Sequence, residues 1–356
     1  MSAVRPDRLN PAVAMMQRRI EALGLNLQGR TVLTEAATGP YVVTALLAAM
    51  AGAEVYAYAA DNRHSSAAQA LAELDACWDD PALTHLQSMV HPIPDLHPDV
   101  IRRANVITNS GNLRPLDRHK MAFAADDTVV PLMFESWEWR GDDLDIDYLR
   151  SRNIRVVATN ERHPDVDVFG YLGEMAVQLA HRAGKALHNN RVVVVTNNPF
   201  GPYLVRTLSS LAAGTGVIDL GENRGAYAGL DVQWLGDFPR IDDLGVFRDS
   251  VAVVVALYPF EQEWISESGP LHPAAVAGAF DVPVVLRFAG HLDVSSLDRH
   301  GIEFYPQQVA PGHMGILPSA LGWDPIIRLQ AAGLRAAQAV LEGDLMVGGL
   351  PIGDLL

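Results

Sequence analysis

Apolar positions run through this chain in two alternating forms, short β-branched blocks and longer segments with helical spacing. The clearest block is Arg191 to Asp219, RVVVVTNNPFGPYLVRTLSSLAAGTGVID. An unbroken valine run is what a parallel strand buried on both faces looks like. Gly201-Pro202 then opens a helix, because proline is tolerated at the first helical position, where its missing N–H costs nothing. A second short strand ends in Asp219, so the unit reads as βαβ. The same design stands earlier: TVLT, the turn EAATGP, the helix YVVTALLAAMAGA and the strand EVYAYA. Glu35-Ala-Ala-Thr-Gly39-Pro40-Tyr41 parallels Asn197-Asn198-Pro199-Phe200-Gly201-Pro202-Tyr203, and Asp61-Asn62-Arg63 follows the first turn much as Glu222-Asn223-Arg224 follows the second. Two such units predict two doubly wound, Rossmann- or flavodoxin-like α/β domains with a cleft between them.

The remaining pattern fills in this plan. Met15, Met16, Ile20 and Leu23 give the segment from Pro11 to Leu25 one apolar helical face. NVIT before Asn109 and the run Thr128–Met133 read as further strands, each followed by a polar loop. Asp142 to Arg152 reads as a helix and RVVAT as a strand. Val166 to His188 keeps a helical period throughout and predicts one long helix crossing between domains. Later come the strand Val251–Leu257, a helix at Pro273–Ala279, the strand VPVVLRF and IEFYP. The helix Pro325–Leu341 is expected to return to the first domain. The expected division is 1–165 with 318–356, and 166–317.

Composition narrows the partners. The 356 residues are 49% hydrophobic, which is ample for two cores, and carry a formal charge of -15. Nucleic acid and anionic membrane both reward basic patches, so a small molecule is the expected ligand. One cysteine, Cys77, permits no internal disulfide, and the first polar segment is not preceded by an apolar leader; the cytoplasm is the expected location. His91, His97, His181 and His188 show no metal-ligand spacing, and a metal site is not expected.

In open α/β sheets ligands lie beyond the carboxyl ends of the strands. That rule draws attention to Asn109 and Ser110 after one strand and to Glu135, Trp137 and Glu138 after another. The second loop suits a substrate cleft or an intersubunit contact, since exposed tryptophans cover something, and its carboxylates favour a cation or amine. Asp219 stands where such folds place the acid that bonds a ribose hydroxyl. Thr196, Asn197 and Asn198 form the turn before Gly201; the asparagines either bond a cofactor or tolerate left-handed geometry. Only the last glycine of a G-x-G-x-x-G fingerprint survives there, and Pro199 removes a donor. Arg287 closes a buried strand and needs a partner, either an internal carboxylate or a ligand anion. His313, among glycines, suits a general acid or base or is simply a loop histidine, and His291 is its rival.

DLDIDYLRSRNIRVVAT, VFGYLGEMAVQLAHRAGKAL, RVVVVTNNPFGPYLV, PVVLRFAGHLD and the segment from Ala310 to Gly343 occur in an order that resembles the D-2-hydroxyacid dehydrogenases of the formate/glycerate dehydrogenase-like group. The resemblance implies a remodelled two-Rossmann-domain oxidoreductase using NAD(H) or NADP(H) on a small polar metabolite, and the carboxylates of the Glu135 loop make an amine-bearing one a candidate. It maps the catalytic histidine onto His313, the substrate arginine onto Arg287 and the acidic partner of the histidine onto Glu303. Asp219, eighteen residues after Gly201, becomes the ribose acid. It also implies a symmetric homodimer. Two alternatives stay open: an S-adenosylmethionine-dependent group-transfer enzyme, which has no pyrophosphate to seat, and a non-catalytic ligand-binding relative.

Overall fold

A computed structural model describes residues 6–62, 65–241, 244–282, 284–310 and 312–356; Arg63, Pro283 and Pro311 of the motifs above lie outside the described residues. The chain forms two compact units, Met1–Val168 with Gly322–Leu356, and Phe169–Leu321. The first unit carries β1 (Thr31–Glu35), β2 (Glu54–Tyr58), β3 (Val90–Ile93), β4 (Val106–Ile107), β5 (Val129–Pro131) and β6 (Arg155–Thr159). The second carries β7 (Arg191–Thr196), β8 (Gly214–Asp219), β9 (Gln233–Asp237), β10 (Ala252–Ala256), β11 (Glu263–Ile265), β12 (Val284–Ala289), β13 (His291–Leu292) and β14 (Glu303–Tyr305). The chain then returns through the helix Trp323–Glu342, a small hairpin of β15 (Met346–Val347) and β16 (Leu350–Pro351), and β17 (Gly353–Leu355).

Both large sheets have one topology. The second runs β14-β12-β10-β7-β8-β9, all parallel. The first runs β6-β5-β4-β1-β2-β3 in parallel, with β17 added antiparallel on β6. Each therefore reverses direction at its first strand, between β1 and β4 and between β7 and β10, the switch points at which doubly wound sheets open a crevice. The valines of β7 and β10 are buried on both faces, as the sequence pattern requires. In the first unit the alanine-rich helix Trp323–Glu342 packs on the helices Pro6–Leu23 and Val43–Met50 and on β5 and β6. Gly333 is needed there because a Cβ would strike the Met133 sulfur.

One expected element differs. The span read as a single helix from Val166 to His188 is a 3-10 turn, Phe169–Tyr171, followed by a helix of 11 residues, Leu172–Arg182. Asp167 takes a positive φ of 49° and Gly184 one of 71°, and both conformations interrupt a right-handed helix.

Candidate functional site

The chemistry of the second unit gathers at the carboxyl end of β12. All six residues of VVLRFA are buried, Arg287 included, at 2% exposure. Its Nε donates to the Gly290 carbonyl at 2.9 Å and its Nη2 lies 2.7 Å from His291 Nδ1. A guanidinium can only donate, so His291 Nδ1 accepts and the ring proton sits on Nε2. That nitrogen faces Glu263 Oε1 of β11 at 3.6 Å. Among the described residues no carboxylate pairs with Arg287 directly, and burial pushes its pKa down. Arg287, His291, Glu263 and Gln307–Ala310 line a pocket of about 520 Å³. The loop carrying His313 continues from Ala310, which accepts the His313 N–H at 3.1 Å. That loop is locked on both sides. Gly312, at φ 69°, lies over Glu261, and a Cβ on Gly315 would strike the Arg287 carbonyl, while the Gly315 N–H bonds to Phe288.

Glu303 does not join them. It opens β14 opposite Val284, at the far end of β12 from Arg287, and pairs with Lys185 at 3.1 Å. The acid beside a histidine in this pocket is Glu263, and the histidine it faces is His291.

The turn after β7 is closed from within. Asn197 donates to the Tyr258 carbonyl at 2.7 Å and accepts the Tyr258 N–H at 2.8 Å. Asn198 donates to the Ala256 carbonyl at 2.8 Å and accepts the Phe200 N–H at 3.0 Å. Both asparagines therefore stitch the end of β7 to the end of β10 across the switch point, and neither takes a left-handed conformation. Thr196 has its hydroxyl buried without a hydrogen-bond partner. Gly201 keeps its place because the Tyr227 hydroxyl fills the space a Cβ would need, with Thr196 Cγ2 on another side at 2.8 Å. Asp219 is fully buried. Its Oδ1 accepts from Leu220 N at 2.7 Å and Asn223 Nδ2 at 3.0 Å, and its Oδ2 from the Tyr227 hydroxyl at 2.6 Å. Burial raises its pKa, partly offset by these bonds.

The five residues singled out in the first unit lie in the loops after β4 and β5. Asn109 holds Arg114 through both its side-chain and main-chain oxygens. Ser110 shares a 2.8 Å hydrogen bond with Thr108. Glu135 takes a bidentate bond from Arg162, 3.2 Å each, and the Glu161 N–H at 3.0 Å. Trp137 and Glu138 lie on the 3-10 turn Ser136–Glu138. Burial and the neighbouring Glu135 raise the Glu138 carboxyl to about 7, and burial with Glu138 and Glu135 raises that of Glu161. These residues belong to the first unit, whereas Arg287 and His313 belong to the second.

Sequence reasoning passed over Tyr227, Glu263, Glu161 and Arg162. Tyr227 ends the polar, glycine-containing run GENRGAY, which reads as a solvent loop, and only its aromatic ring hinted at burial. Among the described residues no group of three or more His, Cys, Asp or Glu side chains is arranged to hold a metal, and no helix is long and apolar enough to cross a membrane.

No protein-family model matches the chain, and neither does any curated protein. Solved structures do. The chain is similar to a dipicolinate synthase chain from Bacillus halodurans, with 12% identity, a TM-score of 0.56, and coverage of 89% of this chain and 98% of that one. It is similar to a D-lactate dehydrogenase from Treponema pallidum, with 11% identity, a TM-score of 0.53 and coverage of 90% and 98%. A D-lactate dehydrogenase from Lactobacillus jensenii, solved with NAD+, gives 11% identity, a TM-score of 0.51 and coverage of 88% and 97%. At these identities the likeness is one of fold: the chain shares the fold of these three proteins, two α/β units each with a parallel sheet.

Proposed function

We propose that the chain is a nicotinamide-dependent oxidoreductase acting on a small metabolite that carries a carboxylate, with the pocket at Arg287 as its substrate site. The observation that carries this reading is the buried Arg287 guanidinium, which among the described residues has a carbonyl and an imidazole as partners but no carboxylate. A buried cation without a counter-ion is costly, and an anionic ligand supplies the missing charge. Arg287 binds and orients the carboxylate. His291 is a positioning residue, fixing the guanidinium from Nδ1 while its Nε2 faces Glu263. His313 is the proton carrier, on a loop fixed against the Arg287 main chain.

The NAD(H) or NADP(H) implied by the fold is supported by the NAD+ in the Lactobacillus jensenii structure. The residues where such a cofactor's phosphates and ribose belong do not fit it as they stand. Pro199 and Pro202 have no N–H, Phe200 donates to the Asn198 side chain, and Gly201 N–H lies 3.3 Å from the Asn198 carbonyl. A helix N-terminus binds phosphate through free N–H groups, and these four positions offer none. The roles assigned therefore end with the carboxylate and the proton. S-adenosylmethionine gains nothing from the missing donors, because it needs a ribose acid too and both Asp219 oxygens already accept hydrogen bonds. The amine-bearing substrate is dropped as well, since Arg162 neutralises Glu135. A two-fold dimer in the cytoplasm completes the proposal, and sedimentation of the purified chain tests the dimer.

The test follows NADH and NADPH absorbance with pyruvate, glyoxylate and oxaloacetate as carboxylate probes. Arg287→Gln is expected to lower kcat/KM about 100-fold, roughly 3 kcal/mol of transition-state binding. Undiminished turnover in Arg287→Gln, or no turnover of any probe by the wild type, overturns the assignment.

A further inference from the structure

Burial orders the pocket at the end of β12 by depth. Arg287 and Leu292 are buried, His291 and Asp293 are half-buried, and Glu263, Gln307 and Gln308 are exposed. The guanidinium therefore lies at the inner end, and the two carboxylates of the lining, Glu263 and Asp293, stand further out. We infer that Glu263 and Asp293 make this site selective for acids with a single carboxylate, so that an acid carrying a second one is turned away. Resting on the reading of Arg287 as a carboxylate site, this selectivity names the class of acid it takes, and it requires no bound cofactor.

Arg287 has capacity for one such group. Its Nε is bonded to the Gly290 carbonyl and one Nη2 hydrogen to His291, and among the described residues nothing accepts from Nη1. Of the five N–H donors of a guanidinium these bonds take two and leave three, both on Nη1 and one on Nη2, which suits a single carboxylate held end-on. His291 adds no second position for an anion, because its Nε2 proton faces Glu263 at 3.6 Å.

The rest of the acid stays inside the pocket, since about 520 Å³ is a size that encloses whole small-molecule ligands. There it meets negative charge. Glu263, on β11, lines the pocket with no cation against it except the imidazole it faces. Asp293 caps the helix Val294–Arg299, its Oδ1 accepting the Ser296 N–H at 3.1 Å, and its Oδ2 has no hydrogen bond among the described residues. A second carboxylate would stand among these like charges, and like charge is a means by which a site rejects the wrong ligand. An apolar or hydroxylated tail meets no such repulsion. Both carboxylates are partly solvated, so the effect is moderate and weakens with salt.

The experiment compares butyrate with succinate, acids of equal carbon count of which one ends in a methyl and the other in a second carboxylate. Binding to the full chain is followed on the His291 ring NMR signal, identified by its loss in His291→Gln. Butyrate is expected to half-saturate the wild type at about tenfold lower concentration than succinate, and Glu263→Gln and Asp293→Asn are each expected to narrow that ratio. Glu303→Gln removes the same charge at the far end of β12 and is expected to leave the ratio unchanged, which separates the pocket from the net charge of the chain. Asparagine also caps helices, so Asp293→Asn keeps its helix; if one pocket variant fails to fold, the other decides. Succinate binding as tightly as butyrate, or a ratio that moves no more in the pocket variants than in Glu303→Gln, overturns the selectivity and leaves the carboxylate site standing. If neither acid moves the signal in the wild type, or butyrate still moves it in Arg287→Gln, selectivity and carboxylate site fall together.

Discussion

The turns after β1 and after β7 share a Gly-Pro-Tyr skeleton but are closed by different chemistry. In the first, Gly39 at φ 61° donates its N–H to Glu73 Oε2 at 2.7 Å, a carboxyl brought from another helix. In the second, the acceptor is the side chain of Asn198, inside the turn itself, and Tyr227 covers the glycine. A helix start leaves N–H groups that need acceptors. One unit meets the need with a carboxyl from another helix and the other with an asparagine of the turn itself, whose side chain also ties the turn to the end of β10.

Four measurements break or sharpen this contrast. Gly201→Ala is expected to cost about 3 kcal/mol, because its Cβ would meet the Tyr227 hydroxyl and Thr196 Cγ2 together. A urea midpoint within experimental error of the wild type would remove the tyrosine from the turn. Asn198→Ala, which strands the Phe200 N–H and the Ala256 carbonyl, is expected to cost about 2 kcal/mol in the same assay. Glu73→Ala, losing the acceptor of Gly39, should cost about 1.5 kcal/mol. If it exceeds the Asn198 variant, the local turn is not the more dependent on its cap.

The last measurement concerns the carboxyls gathered after β5 and β6 of the first unit, Glu135, Glu138 and Glu161. Glu138, raised to about 7 by burial and by Glu135, keeps its proton in the native state while the unfolded chain gives it up. Stability therefore falls as pH rises from the ordinary carboxyl range near 4.5 to about 7, and levels off above. Glu138→Gln is expected to flatten that slope, seen by comparing unfolding at both ends of the window.

The fold was legible wherever one residue pattern decided the matter. Valine runs gave the buried parallel strands, and the paired βαβ designs gave two domains of one topology. The overlong helix was misread because apolar spacing continues past Gly184, while backbone conformation at Asp167 and Gly184 does not. β17 was invisible: Gly353–Leu355 has no alternation of its own and becomes a strand by pairing with β6. The site was legible at Arg287, since a charge inside a buried strand needs an explanation. The acid beside the pocket histidine was not, because Glu263 reaches His291 through the pairing of β11 with β13, which the local sequence does not reveal. Tyr227 escaped for the same reason, its contacts reaching back to Asp219 and Gly201 across a loop.

The split of the first unit has a consequence for how the chain is made. The second unit is continuous, whereas the helix and edge strand that complete the first lie in Gly322–Leu356, beyond it in the sequence. A ribosome adding about 5–20 residues per second delivers that closing piece on the order of ten seconds after β6. During that interval the nascent first unit shows the faces of β5, β6 and Val43–Met50 that the final helix will cover. The later-synthesised unit can thus finish folding first, while the earlier one waits for its own tail with those faces uncovered.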